Sequence, residues 1–235
     1  MRVLGIETAT PVCSVALADS DRVLAEYTLD VGVQHASRVL PMVQRVLEDA
    51  GMGVSDLDGV GVSAGPGSFT GLRIGMSSAK GLCLASGLCL LSVPTLEALA
   101  LRVAVGGMAT CSMLDARRGE VYAGVYRLDG KRLACLVPDA VLGMGDLLGR
   151  LPRPVLFVGE GAVVYRDRIL DVLEGEARFV SGALNRPSAA SVALLGIRRL
   201  MAGEVADLSR AEPGYLRRSQ AEWVREVRAA RGIEH

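Results

Sequence analysis

The sequence predicts an α/β fold made of two similar halves. Half of the 235 residues are apolar and 22% are charged, so the chain can bury a sizeable core. Short apolar runs separated by turn residues are followed by helical patterns, and this order occurs twice. The second set begins at Cys111 and repeats the spacing of the first, which indicates a degenerate internal duplication. We place the boundary near residue 106, so the halves are 1–105 and a shorter 106–235.

The first half begins with a predicted meander of three antiparallel strands, at 3–6, 13–18 and 23–28. An amphipathic helix is predicted over 39–50, with Gly51 as its C′ residue. Pro41 removes one backbone donor, so this helix should be kinked in its first turns or begin near Ser37. Alternating strands and helices then follow, at 59–63, 70–86, 88–93 and 94–105.

The second half repeats this order in a shorter form. Its predicted strands are 111–115, 121–128, 133–137 and 155–158, and its last helix is 187–201. Asp115 occupies the position in the second half that Glu7 occupies in the first, because each is predicted to end the first strand of its set. The Gly106-Gly107 pair is the only linker-like position, so we expect the halves to touch extensively.

Composition excludes several classes of protein. No stretch reaches about 18 uncharged apolar residues and the N-terminus lacks a secretory pattern, so we expect a cytoplasmic protein without a membrane span. Five cysteines without a CxxC pair disfavour disulfides and zinc. The formal charge is zero, so RNA would have to be met through a partner or a local patch. The arginine-rich stretch 210–231 is such a patch, although a solvated helix face fits it better.

The glycine-rich segment 64–75 is the most informative part of the chain. It lacks the Gly-Lys-Ser/Thr of a Walker A loop, and a tight strand-to-helix turn is the interpretation we favour. Small residues then recur every four positions on the following helix. This row would let a second helix approach closely, and packing within the chain is equally consistent with it. Its members are Gly71, Gly75, Ala79 and Cys83.

Candidates for chemistry are few. Glu7, Thr8 and Asp115 lie where two halves could hold a nucleotide and a metal between them, but turn capping explains them equally well. The loop after Glu7 has no glycine, so nucleotide binding there should be weak or lost. His35 is followed four residues later by Val39, so we assign it no metal and no catalytic role, and we expect no catalytic residue in this chain.

These motifs together resemble the TsaB (YeaZ) family over essentially the whole chain. The N-terminal half is also similar to the catalytic sister family, TsaD. The resemblance implies an actin-like fold (ASKHA, ribonuclease H-like) with duplicated halves. It rests on GIETAT at 5–10, CSVAL at 13–17, His35 with Leu40-Pro41, GPGSFTGLRIG at 65–75, AKGL at 79–82, VPTLEALA at 93–100, DARRGEVY at 115–122 and EPGYLR at 212–217.

The resemblance also implies a function. The chain would be a non-catalytic scaffold that binds TsaD through the two helices of its first half. TsaD, together with the ATPase TsaE, would transfer threonylcarbamoyl onto the adenosine beside the tRNA anticodon. In TsaD a histidine pair at i, i+4 holds the metal, and Val39 breaks that pair here. This chain alone would bind no cofactor, ATP would be used by the complex, and tRNA would be met through it.

The expected partner surface combines the small-residue row with bulkier neighbours. Without TsaD, the same surface should form a homodimer. The expected interface residues are His35, Val39, Met42, Val43, Val46, Gly71, Leu72, Gly75, Met76 and Ala79. The alternative function is a small ATP-dependent phosphotransferase of the sugar or acetate kinase superfamily, which shares the duplicated fold.

Overall fold

A computed structural model describes residues 1–20, 22–30, 32 and 34–217 and contains two five-stranded sheets of the same strand order. The first sheet has the order β3-β2-β1-β4-β5, in which β1 pairs antiparallel with β2 and parallel with β4. The predicted three-stranded meander is therefore confirmed. The strands are β1 (Arg2–Glu7), β2 (Cys13–Asp19), β3 (Arg22–Leu29), β4 (Gly59–Ser63) and β5 (Cys89–Val93).

The second sheet reads β8-β7-β6-β9-β10 from its antiparallel edge, with β6 at the centre. It repeats the order of the first sheet strand for strand, which confirms the predicted duplication. The strands are β6 (Ala109–Arg117), β7 (Glu120–Asp129), β8 (Arg132–Gly143), β9 (Val155–Val158) and β10 (Ala177–Phe179).

Seven α-helices lie in the described part of the chain. Those between the strands of the second half are much shorter than their first-half counterparts. The helices are α1 (His35–Asp49), α2 (Phe69–Ser86), α3 (Thr95–Val103), α4 (Met144–Leu148), α5 (Glu160–Val164), α6 (Arg166–Leu173) and α7 (Ala189–Met201). Single 3₁₀ turns occur at Val54–Asp56, Glu174–Glu176 and Gly182–Leu184. None of these helices combines the length and the apolar character that a bilayer span requires.

Alternating residues of β1 bury against opposite layers of helices. Leu4 and Ile6 belong to the core formed with α1 and α2, whereas Val3 packs with α7. Gly5 lies directly under α7, and a Cβ there would come within 2.2 Å of the Ala189 carbonyl oxygen. The first sheet is therefore covered on both faces.

The last helix of each half packs on the sheet of the other half. Helix α3 belongs to the first half by sequence, yet Leu96 and Leu99 pack with Leu114 and Tyr126 of the second sheet. Helix α7 comes from the second half and covers the first sheet. Glu26 of β3 fixes its beginning, because Oε1 accepts from Ser188 Oγ at 2.6 Å and from Ala190 N at 3.2 Å. The halves thus share helices across their junction.

Proline accounts for two differences from the prediction. Helix α1 begins at His35 and runs through Pro41 in its second turn, where Leu40 and Pro41 face solvent and water can satisfy the freed carbonyl. Strand β8 continues past residue 137, because an irregularity in its pairing with β7 accommodates the exposed Pro138. The prediction missed α4, α5, α6 and β10, each of which is too short for a clear periodicity.

Candidate functional site

The glycine segment packs against the turn that follows β1. Ser68 N donates to the Ala9 carbonyl at 2.6 Å, and Thr8 Oγ1 donates to the Gly71 carbonyl at 2.8 Å. A Cβ on Gly67 would lie 2.4 Å from the Ala9 oxygen, and one on Gly71 would lie 2.0 Å from the Thr8 oxygen. These glycines therefore admit the chain's own backbone, at the position where a phosphate-binding loop would leave room for an anion.

Glu7 ends β1, as predicted, but it is fully buried. Its Oε1 accepts from Ala9 N at 2.6 Å, and its Oε2 accepts from the Ser63 hydroxyl. Burial raises the pKa of this carboxyl from 4.5 to about 7, against the smaller opposing effect of the two hydrogen bonds. Thr8 is also fully buried, and its hydroxyl is used by Gly71. Both carboxylate oxygens of Glu7 thus face protein donors.

The burial of Glu7 predicts a pH dependence of stability. A carboxyl whose pKa is raised on folding contributes stability below its unfolded pKa, and this contribution is lost as the pH rises through the folded pKa. Between pH 5 and pH 8 the free energy of unfolding of the wild type should therefore fall by about 2 to 3 kcal/mol relative to that of Glu7→Gln, because glutamine cannot ionise. Urea unfolding of both proteins at the two pH values measures this difference. A gap between the two proteins that does not change with pH would contradict it.

Asp115 does not end its strand, because β6 continues to Arg117. Arg118 and Gly119 form a tight turn, with φ of 58° and 79°. Arg117, with a φ of 67°, still pairs with Glu120, so the hairpin is longer than predicted. Asp115 Oδ1 accepts from Arg117 N at 2.9 Å, and the same carboxylate lies near Glu160. Burial is the larger of two causes that raise the pKa of the Glu160 carboxyl, and the negative charge of Asp115 is the second. The neighbours of Asp115 therefore differ from those of Glu7.

Metal ligation has no support in the described residues, which contain no group of three or more His, Cys, Asp or Glu side chains able to hold an ion. His35 is the first residue of α1 and is buried, with Nε2 2.9 Å from the Thr10 carbonyl oxygen. Its role in the structure is thus to join the helix start to the β1–β2 turn.

A cavity of about 300 Å³ lies between the halves, and the sequence did not predict it. Several of its polar lining groups already have partners within the protein. Asp30 and Arg186 form an ion pair at 2.7 Å, and Asn185 Oδ1 accepts from Gly159 N at 3.0 Å. The lining residues are Thr10, Pro11, Val12, Asp30, Leu114, Glu160, Val163, Val164, Gly182, Asn185, Arg186 and Pro187.

The ten residues expected to form the partner surface are buried within this chain. A Cβ on Gly75 would lie 2.3 Å from Thr8 Oγ1, and Met42 Sδ lies 3.7 Å from Cys13 Sγ. The small-residue row therefore faces the first sheet, which corrects the expectation that it is exposed. The buried residues are His35, Val39, Met42, Val43, Val46, Gly71, Leu72, Gly75, Met76 and Ala79.

A second small-residue row occupies the exposed face of α2. Ser77, Gly81 and Ala85 are spaced by four residues, and a Cβ on Gly81 would meet nothing within 4 Å. Leu84 of α2 is 78% exposed, and Leu40 of α1 is 53% exposed. We call the surface formed by Ser77, Gly81, Leu84 and Ala85 the outer helical face. The spacing of four that defines this row is visible in the sequence, where Arg73 lies four residues before Ser77.

The segment 205–217, which we call the strap, runs beside α2 and ends at the second half. Ala206 N donates to the Leu90 carbonyl at 2.9 Å, and Gly214 N donates to the Ala64 carbonyl at 2.6 Å. Arg217 then pairs with Glu120 at 3.3 Å. The rest of the arginine-rich stretch, 218–231, lies outside the described residues.

The duplicated sheets and their exchanged helices define an actin-like protein. The solved structure of the ROK hexokinase from Thermus thermophilus shares this fold, with a TM-score of 0.52 at 14% identity over 86% of this chain and all of that one. YeaZ from Pseudomonas aeruginosa is nearer, with a TM-score of 0.76 at 29% identity over 91% of this chain and 99% of that one.

Sequence comparison narrows the class to a family. The family model described as TsaD, tRNA N6-adenosine threonylcarbamoyltransferase, matches residues 29–223. The tRNA threonylcarbamoyladenosine biosynthesis protein TsaB of Bacillus subtilis is 34% identical over 229 residues, which cover 95% of this chain and 98% of that protein. The chain belongs to the TsaB family, whose role is in tRNA threonylcarbamoyladenosine biosynthesis.

Proposed function

We propose that this chain is the non-catalytic scaffold and activator subunit of the tRNA threonylcarbamoyladenosine modification complex. It binds TsaD as a heterodimer and supports the transfer of threonylcarbamoyl onto the adenosine beside the anticodon. TsaE joins through the TsaB–TsaD complex, and tRNA is met through the same assembly in the cytoplasm. ATP is used by the complex rather than by this chain alone.

The outer helical face carries this proposal. Glycine in an exposed helix costs about 1 kcal/mol relative to alanine, so Gly81 is not explained by the stability of the isolated chain. A partner helix lying over Ser77, Gly81 and Ala85 can approach closely and cover Leu84, which is otherwise left in water. The same face supports a homodimer when TsaD is absent.

The phosphotransferase alternative finds less support in the geometry. An ATP-dependent kinase needs a loop that admits phosphate and a carboxylate open to a metal or a substrate. Here Ala9 and Thr8 fill the space beside Gly67 and Gly71, and both oxygens of Glu7 accept protein hydrogen bonds. These contacts favour a scaffold.

Two titrations of the purified chain test the proposal. Isothermal titration with TsaD of the same organism should give a saturable 1:1 signal at micromolar affinity or tighter. Titration with ATP and magnesium should give no saturable heat up to about 1 mM, a range in which enzymes commonly bind substrates. Saturable ATP binding together with ATP turnover that depends on Asp115 would favour the phosphotransferase and overturn the proposal.

A further inference from the structure

Arg73 heads the exposed row of α2, four residues before Ser77, and its guanidinium is held on two sides. Its Cζ lies 3.9 Å from the centroid of the Phe69 ring, in a cation–π contact. Its Nε donates to Tyr215 Oη at 3.1 Å. The plane of the group is thus fixed, although the side chain is exposed.

The two aromatic rings that hold Arg73 are themselves fixed. Tyr215 stacks on Phe69 with ring centroids 4.9 Å apart. The strap carries Tyr215 between two anchors, the hydrogen bond from Gly214 to Ala64 and the contacts of Arg217 with the second half. The position of the guanidinium therefore depends on contacts with both α2 and the strap.

The guanidinium has no anionic partner among the described residues. Arg199 pairs with Glu97 at 2.5 Å and Arg217 pairs with Glu120 at 3.3 Å, whereas no described carboxylate lies within 4.0 Å of Arg73. Its two terminal nitrogens also make no hydrogen bond to a described residue. A guanidinium group whose plane is already fixed loses little side-chain entropy when its two parallel N–H groups bind a carboxylate.

We propose that Arg73 is a specificity-determining contact that pairs with a carboxylate on the TsaD helix that covers the outer helical face. This inference rests on the proposed function and names the chemistry that the partner must present. A protein carboxylate fits better than a nucleic-acid phosphate, because the same row continues as Ser77, Gly81 and Ala85 beside the exposed Leu84. Phosphate-binding surfaces instead gather several cations, and the neighbouring Lys80 donates to the Ala211 carbonyl.

Affinity for TsaD, measured by titration with single variants of this chain, tests the pairing. Arg73→Gln should weaken binding about 30-fold, and Arg73→Lys about 10-fold, because lysine keeps the charge but not the fork. Tyr215→Phe keeps the stacked ring and removes only the acceptor for Nε, so a smaller loss of about 3-fold is expected. Arg150→Lys, at an exposed site in the second half, is the matched control and should bind like the wild type. The melting temperatures of all four variants should stay within about 2 °C of the wild type.

A double-mutant cycle identifies the carboxylate. Each Asp and Glu on the facing TsaD helices is changed to alanine in turn, and one of these changes should cause no further loss in the presence of Arg73→Gln. If the wild-type chain fails to bind TsaD, the proposed function itself is overturned. If the wild type binds and the Arg73 variants bind equally well, only this inference fails. A loss that appears solely when ATP or tRNA is present would also overturn it, since the anion would then be a phosphate.

Discussion

Replacing Gly71 by alanine should destabilise the isolated chain by about 3 kcal/mol, whereas the same replacement at Gly81 on the same helix should stabilise it by about 1 kcal/mol. At Gly71 the new Cβ would lie 2.0 Å from the Thr8 carbonyl oxygen, so α2 or β1 must move. At Gly81 the Cβ meets nothing within 4 Å, and only the gain in helix propensity remains. Urea unfolding of the two variants beside the wild type measures both changes.

Gly75→Leu extends this comparison, because its Cβ alone would lie 2.3 Å from Thr8 Oγ1. We expect it to be at least as destabilising as Gly71→Ala. Met42→Glu should also destabilise the chain, since Met42 is only 7% exposed in the first core. Wild-type stability in both Gly71→Ala and Gly75→Leu would mean that α2 does not pack on β1 through its glycines.

Leucine at Gly81 should leave the chain folded and weaken TsaD binding about 100-fold or more. Leucine is a good helix former and Gly81 is open to solvent, so the free chain should melt at or above the wild-type temperature. In the complex, the same side chain holds the partner helix away from Ser77, Ala85 and Leu84, so the packing of the whole face is lost. Titration with TsaD and a thermal melt of the free chain measure the two effects.

Gly81→Ala is the matched control for size. Alanine removes the glycine but still permits close helix approach, so its TsaD affinity should stay within about 3-fold of the wild type. The homodimer should respond in the same way, with Gly81→Leu eluting as a monomer and Gly81→Ala as a dimer in size-exclusion chromatography. If Gly81→Leu binds TsaD like the wild type, the outer helical face is not the interface.

The prediction from sequence was most accurate where one periodicity decides the outcome. The bounds 59–63 and 155–158 were predicted correctly for β4 and β9, because each is a short apolar run between turn residues. Gly51 has a φ of 64°, as the C′ residue after α1 requires. The duplication could also be predicted from the sequence, because the spacing of strands and turns is set by local residues.

Long-range packing set the limits of the prediction. Helix α2 carries small residues on both faces, so a spacing of four identifies the Gly71 row and the Gly81 row equally well without showing which row meets β1. The exchange of α3 and α7 was likewise beyond reach, because an apolar helix face does not specify which sheet covers it. The side-chain hydrogen bond that the buried Glu7 accepts comes from Ser63, which is 56 residues away in sequence.

Reconstituted threonylcarbamoyl transfer is the most direct measurement of the proposed role. TsaD, TsaE, tRNA, ATP and the threonylcarbamoyl donor are combined without this chain, with the wild type, with Gly81→Ala and with Gly81→Leu. We expect modification only with the wild type and Gly81→Ala, and at most about 1% of that rate with Gly81→Leu. Full modification in the absence of the chain, or with Gly81→Leu, would contradict a scaffold that acts through the outer helical face.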